Sequence, residues 1–187
     1  MLITGELQML NLFRHVLWAL PLVLAGCASG PKPVPELLLR LHPSTLGTSL
    51  ALTQRLEVTA VGRRQAVEAL LEADAQTVRL ALLDLGRTGA RLSWDGEQLT
   101  ESRADWWPAQ VSGSRILSDL QLALWPVKAI RDGLPPGWTV EETSTLRELR
   151  YGAEAVARVR RARADRIELD NLKDGYRLTI ESQALQP

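Results

Sequence analysis

The sequence predicts an α+β fold: a single curved antiparallel sheet, an incomplete β-barrel, covered by a helical insertion. Three observations predict it. Period-two alternation of apolar and polar residues recurs on both sides of the chain's middle. Helical spacing occupies one stretch between them, so the order is strands, helices, strands. About 160 of the 187 residues follow the amino-terminal segment treated below, enough for one domain with a sizeable core.

The first strand starts at Ser49. Leu50, Leu52, Leu56, Val58 and Ala60 fall on one side, Thr53, Arg55, Glu57 and Thr59 on the other, and Gln54 alone interrupts the apolar side. At about 3.3 Å per residue such a strand reaches roughly 40 Å, which suits strong curvature. Gly62 punctuates, and a second strand covers 65–73. After a turn at 74–77, Val78, Leu80 and Leu82 continue the sheet. Gly86-Arg87-Thr88-Gly89 reads as a loop, 90–94 as a strand, Asp95-Gly96 as a hairpin turn and 97–101 as its return.

Ile116, Leu120, Leu124, Val127 and Ile130 then recur at helical spacing. They predict a helical lid over about 113–134, with Ser114 as N-cap and Pro126 breaking the helix or opening a second one. Gly133, Pro135 and Pro136 end it. Strands return over 139–142, 146–151, 155–160, 165–170 and 176–182, with a turn at Lys173-Asp174-Gly175.

The amino-terminal segment has a basic flank at Arg14 and His15, an apolar run from Val16 to Leu24, and the small residues Ala25 and Gly26 before Cys27. That is the build of a signal peptide, and the run is shorter than the roughly 20 residues that span a bilayer. Met9 fits such a peptide better as its start than Met1, because Glu6 lies between them. Leu24-Ala25-Gly26-Cys27 resembles the lipobox of bacterial lipoproteins. The resemblance implies residues 1–26 as a signal peptide, a lipidated Cys27 as the first mature residue, and, with Ala28 rather than Asp next, delivery to the outer membrane facing the periplasm. Residues 27–36 include a Pro-rich, extended tether, and 37–187 form the domain. Cys27 is the chain's one cysteine, so the domain is held by its core without a disulfide.

The formal net charge is zero with both signs mixed along the chain, which argues against a nucleic-acid partner. Arg158, Arg160, Arg161 and Arg163 form the one local basic run and read first as a strand end and turn facing water, the alternative being contact with anionic lipid headgroups. Enzymatic activity is not expected. One histidine, His42, follows the signal segment, no serine sits in a Gly-x-Ser-x-Gly elbow, and there is no phosphate-binding glycine loop. No metal or other cofactor is expected, because one His and a lipidated Cys supply too few ligands. Asp165, Asp170 and Asp174 lie in and around a hairpin, as turn and solvent-face residues.

Three stretches resemble the Lol family of periplasmic lipoprotein carriers and outer-membrane receptors: Leu82 to Ala90, Trp125 to Pro135, and Arg166-Ile167-Glu168-Leu169-Asp170 with Tyr176-Arg177-Leu178-Thr179-Ile180. The resemblance implies a Lol-like incomplete β-barrel closed by helices around an apolar cavity for acyl chains. Receptors of this family carry an exposed Leu on the loop matching Gly86 to Ala90 that assists transfer into the membrane. No large apolar residue stands near Gly89-Ala90, so a specialised carrier of a lipid, lipoprotein or acyl-linked product is expected. Arg103-Ala104-Asp105-Trp106-Trp107-Pro108 and Ile116 to Leu122 further resemble an uncharacterised family of bacterial lipoproteins, whose members are often encoded beside aryl-polyene and fatty-acid-like biosynthetic genes.

Six tryptophans against a single phenylalanine is an unusual balance. Trp106, Trp107, Trp125 and Trp138 flank or interrupt the helical stretch, and with Ile116, Leu120, Leu124 and Ile130 they are the candidate cavity or lid residues. The same side chains alternatively weld the helices to the sheet. The partners expected are therefore a membrane, through Cys27, and a lipid, acyl-linked or lipoprotein cargo, with the domain monomeric. The other reading is an accessory lipoprotein with a filled core that docks a biosynthetic or export partner.

Overall fold

The computed structural model describes residues 33–108 and 112–185. The chain divides into two compact units, Met1–Pro33 and Val34–Pro187, and every described element lies in the second. The signal segment, Cys27 and most of the tether fall outside the described residues.

Ten antiparallel strands form one sheet. The first five are β1 (Leu50–Ala60), β2 (Arg63–Ala73), β3 (Val78–Asp84), β4 (Arg87–Trp94) and β5 (Leu99–Arg103). Two helices follow, α1 (Gly113–Leu124) and α2 (Val127–Asp132). The chain returns through β6 (Trp138–Glu142), β7 (Leu146–Tyr151), β8 (Glu154–Arg163), β9 (Arg166–Asn171) and β10 (Tyr176–Ala184). The order across the sheet is β5-β4-β3-β2-β1-β10-β9-β8-β7-β6. Two five-strand meanders are thus joined where β1 pairs with β10, Leu52 opposite Ala184 and Ala60 opposite Tyr176. The sheet stays open, with β5 and β6 as its edges, and the helices are the connection between those two edges.

Alternation fixes which face is inside. Leu71, Leu80, Leu82, Leu92, Leu169 and Ile180 are buried on the inner face, together with Gln54 and Leu56 of β1. Register shifts at Leu82/Leu83, Leu149/Arg150 and Arg161/Arg163 interrupt the ladders, the local device by which a sheet bends. The outer face is a lattice of ion pairs. Asp170 accepts from Arg160 at 2.7 Å and from Arg177 at 2.6 Å, Arg158 meets Glu148 at 2.7 Å, and Arg166 meets Glu181 at 2.9 Å. Arg158, Arg160 and Arg163 of the basic run belong to that lattice, at the end of β8.

Three local expectations are corrected. Gly86 to Gly89 is not one loop. Residues 85 and 86 make a two-residue turn between the paired Asp84 and Arg87, and Gly89 lies within β4, where the Trp107 ring occupies the space a Cβ would need, 1.8 Å away. The N-cap of α1 is Ser112 rather than Ser114, whose hydroxyl instead accepts from Arg40 at 2.8 Å. Pro126 takes the second of its two expected roles, since it is the N-cap of α2 and directly follows Trp125, the C-cap of α1.

Candidate functional site: a helix laid on the inner face

The inner face is covered by α1, and α1 is held by hydrogen bonds as well as by apolar packing. Leu117, Leu120, Leu122 and Ala123 are buried, but so are Ser118, Asp119 and Gln121. Ser118 and Gln121 hold a strap, residues 36–46, that runs beside the helix in the same direction. The Leu39 N–H donates to Ser118 Oγ at 3.0 Å. The Leu41 N–H donates to Gln121 Oε1 at 2.9 Å, and Gln121 Nε2 donates back to the Leu41 carbonyl at 2.9 Å. Trp94 Nε1 donates to the same carbonyl at 2.8 Å, and Trp125 Nε1 to Thr45 Oγ1 at 3.1 Å. The strap lacks a strand partner, so these side chains satisfy backbone groups that burial would otherwise leave unpaired. It ends in a short 3-10 helix, Pro43–Leu46, capped by His42, whose Nδ1 accepts from the Ser44 N–H. The chain's one candidate catalytic histidine is therefore a capping residue against Gly96.

The far side of α1 meets the sheet through Asp119. Tyr176 OH donates to Asp119 Oδ2 at 2.6 Å and accepts from Asn171 Nδ2 at 3.1 Å. Burial raises the Asp119 carboxyl to about 6, against the Tyr176 hydrogen bond and the nearby Arg115, both of which favour its ionised form. Arg115 spans the same corner, reaching Glu36 at 2.8 Å and Asp174 at 3.3 Å. At the other end of α1, the buried Arg147 donates to the Leu122 carbonyl at 2.6 Å and pairs with Glu142 at 2.7 Å. A cation there complements the helix C-terminus.

Most of the expected cavity or lid residues come together, but as packing. Trp107, Leu120, Trp125, Ile130 and Trp138 belong to one buried cluster, with Ile116 and Leu124 packed against it. Trp125 is wholly enclosed, and Trp138 packs on Tyr151 at 5.2 Å between ring centres. A small void of about 20 Å³ lies between the strap, α1 and Trp138, the size of one water. Depressions of about 340 and 600 Å³ are lined mainly by outer-face residues of the sheet. Trp106 departs from the cluster. It is 40% exposed, with Arg87 stacked 4.8 Å from its ring centre. Two buried polar atoms among the described residues have no hydrogen-bond partner: Gln54 Oε1 on the inner face and Trp107 Nε1.

The β3–β4 turn adds a residue that the sequence reading did not single out. Leu85 stands on it, 94% exposed and at a φ of 48°, so the turn does carry a large apolar residue, just before Gly86. Ser118, Asp119 and Gln121 were likewise missed. The usable signal was a run of short polar side chains and an amide, Ser118, Asp119 and Gln121, interleaved with Leu117, Leu120 and Leu122 in mid-helix.

A family model described as protein of unknown function (DUF3261) matches residues 51–184, from β1 to β10. The chain belongs to this family. The DUF3261 match takes in the sheet and both helices, whereas the strap precedes it. No curated protein matches the chain.

Proposed function

We propose that this DUF3261 protein is a periplasm-facing, outer-membrane-anchored lipoprotein that binds or transfers a lipid, lipoprotein or acyl-linked product on the inner face of its open sheet, in the manner of the Lol-like carriers it resembles. The observation that carries the reading is the nature of the cover. An apolar concave face is shut by a helix with three buried polar residues, fastened by specific hydrogen bonds to a strap and to Tyr176. Such a cover can lift as a unit, and the exposed apolar face then takes an acyl chain at about 25 cal/mol per Å² buried. The unpaired Gln54 Oε1 and Trp107 Nε1 supply a polar acceptor and a donor for a cargo headgroup. Leu85 restores the exposed turn leucine that the receptors of the resembled family carry.

The test is native mass spectrometry of the protein extracted from bacterial membranes, with tryptophan fluorescence during titration with a fatty acid or a lysolipid. Co-purifying lipid and a saturable fluorescence change are expected. Reproducible absence of both overturns the reading. The enclosure of Trp125 favours the second reading, a non-catalytic accessory lipoprotein with a filled core. That reading gains if no lipid is found and crosslinking recovers a biosynthetic or export partner.

A further inference from the structure

In an antiparallel meander alternate turns fall at the same end. The β1–β2 turn (61–62), the β3–β4 turn (85–86), the segment after β5 that holds Trp106, and the β9–β10 turn (172–175) therefore share one end of the sheet. The register places the first and last of these side by side, since Ala60 pairs with Tyr176. Large apolar side chains are concentrated there. Val61 is 97% exposed, Leu85 94%, Leu172 44% and Trp106 40%.

The backbone makes this more than chance exposure. Both two-residue turns have positive φ at their two central residues: 48° and 71° at Val61-Gly62, 48° and 74° at Leu85-Gly86. That is the type I′ pattern, which Asn-Gly or Asp-Gly satisfies without strain. A β-branched residue at positive φ is a genuine outlier, and strain of this kind concentrates at functional sites. Nothing in the fold requires it, because Val61 and Leu85 are almost wholly exposed and bury nothing in return.

We infer that this end is a membrane-seating surface, in which the Val61 tip, with Leu172 beside it and Leu85 on the neighbouring hairpin, enters the interfacial layer of a lipid bilayer. The strap begins at this end: Glu36 bonds Arg115, which also bonds Asp174 of the β9–β10 turn. The sequence before Glu36, with its apolar run and Cys27, is therefore continuous with the domain at this end. Arg63, Arg64, Arg87 and Lys173 flank the tips, but so do Asp84 and Asp174, so apolar insertion rather than net charge carries the contact. The inference rests on the membrane-attached reading for what the surface faces, and is independent of whether the inner face takes an acyl chain.

The experiment is flotation of the domain 34–187, which contains every described element, with phosphatidylcholine vesicles and with vesicles containing phosphatidylglycerol. Binding to both is expected. Val61→Asn and Leu85→Asn relieve the turn strain, so each is expected to raise the melting temperature by about 2–4 °C while weakening vesicle partitioning by about tenfold. Binding that is unchanged in both variants, or no binding by the unsubstituted domain to either vesicle, overturns the proposal. Binding only to phosphatidylglycerol vesicles overturns the apolar mechanism. A lower melting temperature in both variants assigns the side chains a structural role instead. If acyl titration fails while flotation succeeds, the cargo reading falls and this surface stands.

Discussion

The two ends of the sheet solve the same problem differently. At one end the turns follow polar turn chemistry: Asp74 accepts from the backbone of Gln76 and Thr77 at 2.8 and 2.7 Å, and Asp95 from Glu97 and Gln98 at 2.9 and 2.7 Å. Thr143 does the same for Leu146 at 3.2 Å. At the opposite end two tight turns hold Val61 and Leu85 at positive φ, side chains in the open. Side chains stabilise their own turns at the first end; at the second, Asn171 does so for the β9–β10 turn, accepting from the Asp174 N–H at 2.8 Å, whereas the two tight turns at Val61 and Leu85 have no such bond among the described residues. The strap connects the two ends, passing from Arg115 and Asp174 to Trp94 and Gly96.

The strap's fastening is therefore the place where the largest effect is expected. Gln121→Ala leaves the N–H and one bond to the carbonyl of Leu41 unmade in a buried site, at a cost of about 2–4 kcal/mol. Urea unfolding followed by tryptophan fluorescence measures it, and a cost below about 1 kcal/mol would show that the strap does not hold α1. The pH dependence of stability separates the ends next, because its sign differs between them. Asp119 has its folded pKa raised from 3.8 to about 6, so its ionisation destabilises the fold. The penalty is complete above about pH 6 and disappears as pH falls below 3.8, worth as much as about 3 kcal/mol. Asp74 and Asp95 have lowered pKa values, chiefly through the backbone N–H groups of Thr77 and Gln98. Their contribution is present above 3.8 and is lost as pH falls through their folded values. Asp119→Asn is expected to flatten the stability profile between pH 4 and 6 and to leave the loss below pH 4 in place. A profile unchanged between pH 4 and 6 would remove Asp119 from the account.

Much of this fold was legible as strands because alternation is a one-dimensional signal. Eight of the ten strands both begin and end within two residues of where Leu50, Val78, Leu146 or Tyr176 and their neighbours place them, and β4 and β8 run three residues longer at one end. The pairing of β1 with β10 was not legible, since no turn joins them and their patterns match many partners equally well. Nor was the strap: Leu37, Leu39 and Leu41 alternate over only five residues with Leu38 apolar between them, and their burial depends on Ser118 and Gln121 some 80 positions away. Among the candidate site residues, sequence identified large apolar side chains but not which of them stay wet. Trp106 and Trp107 are neighbours, yet one stacks under Arg87 in the open and the other is buried over Gly89. Nothing in the sequence separates Leu85 from Leu82 and Leu83; the register shift between those two and the tight turn, with Leu85 at a φ of 48°, turn it outward.

The glycines of the two ends give the finest comparison. Gly62, at the apolar end, has a φ of 71° and open space where a Cβ would go. Gly96, at the polar end, has a φ of 101°, and a Cβ there would lie 2.3 Å from the His42 ring. Both alanine variants suffer the left-handed backbone, about 1 kcal/mol. Gly96→Ala must also displace a ring that caps the 3-10 helix of the strap, so it is expected to cost about 2 kcal/mol in all. Removing the ring supplies the control: in a His42→Ala background, Gly96→Ala should fall to the cost of Gly62→Ala. If it does not, the excess belongs to the backbone at Gly96 itself, and the polar end is stiff because of its turns alone rather than because the strap is docked against them.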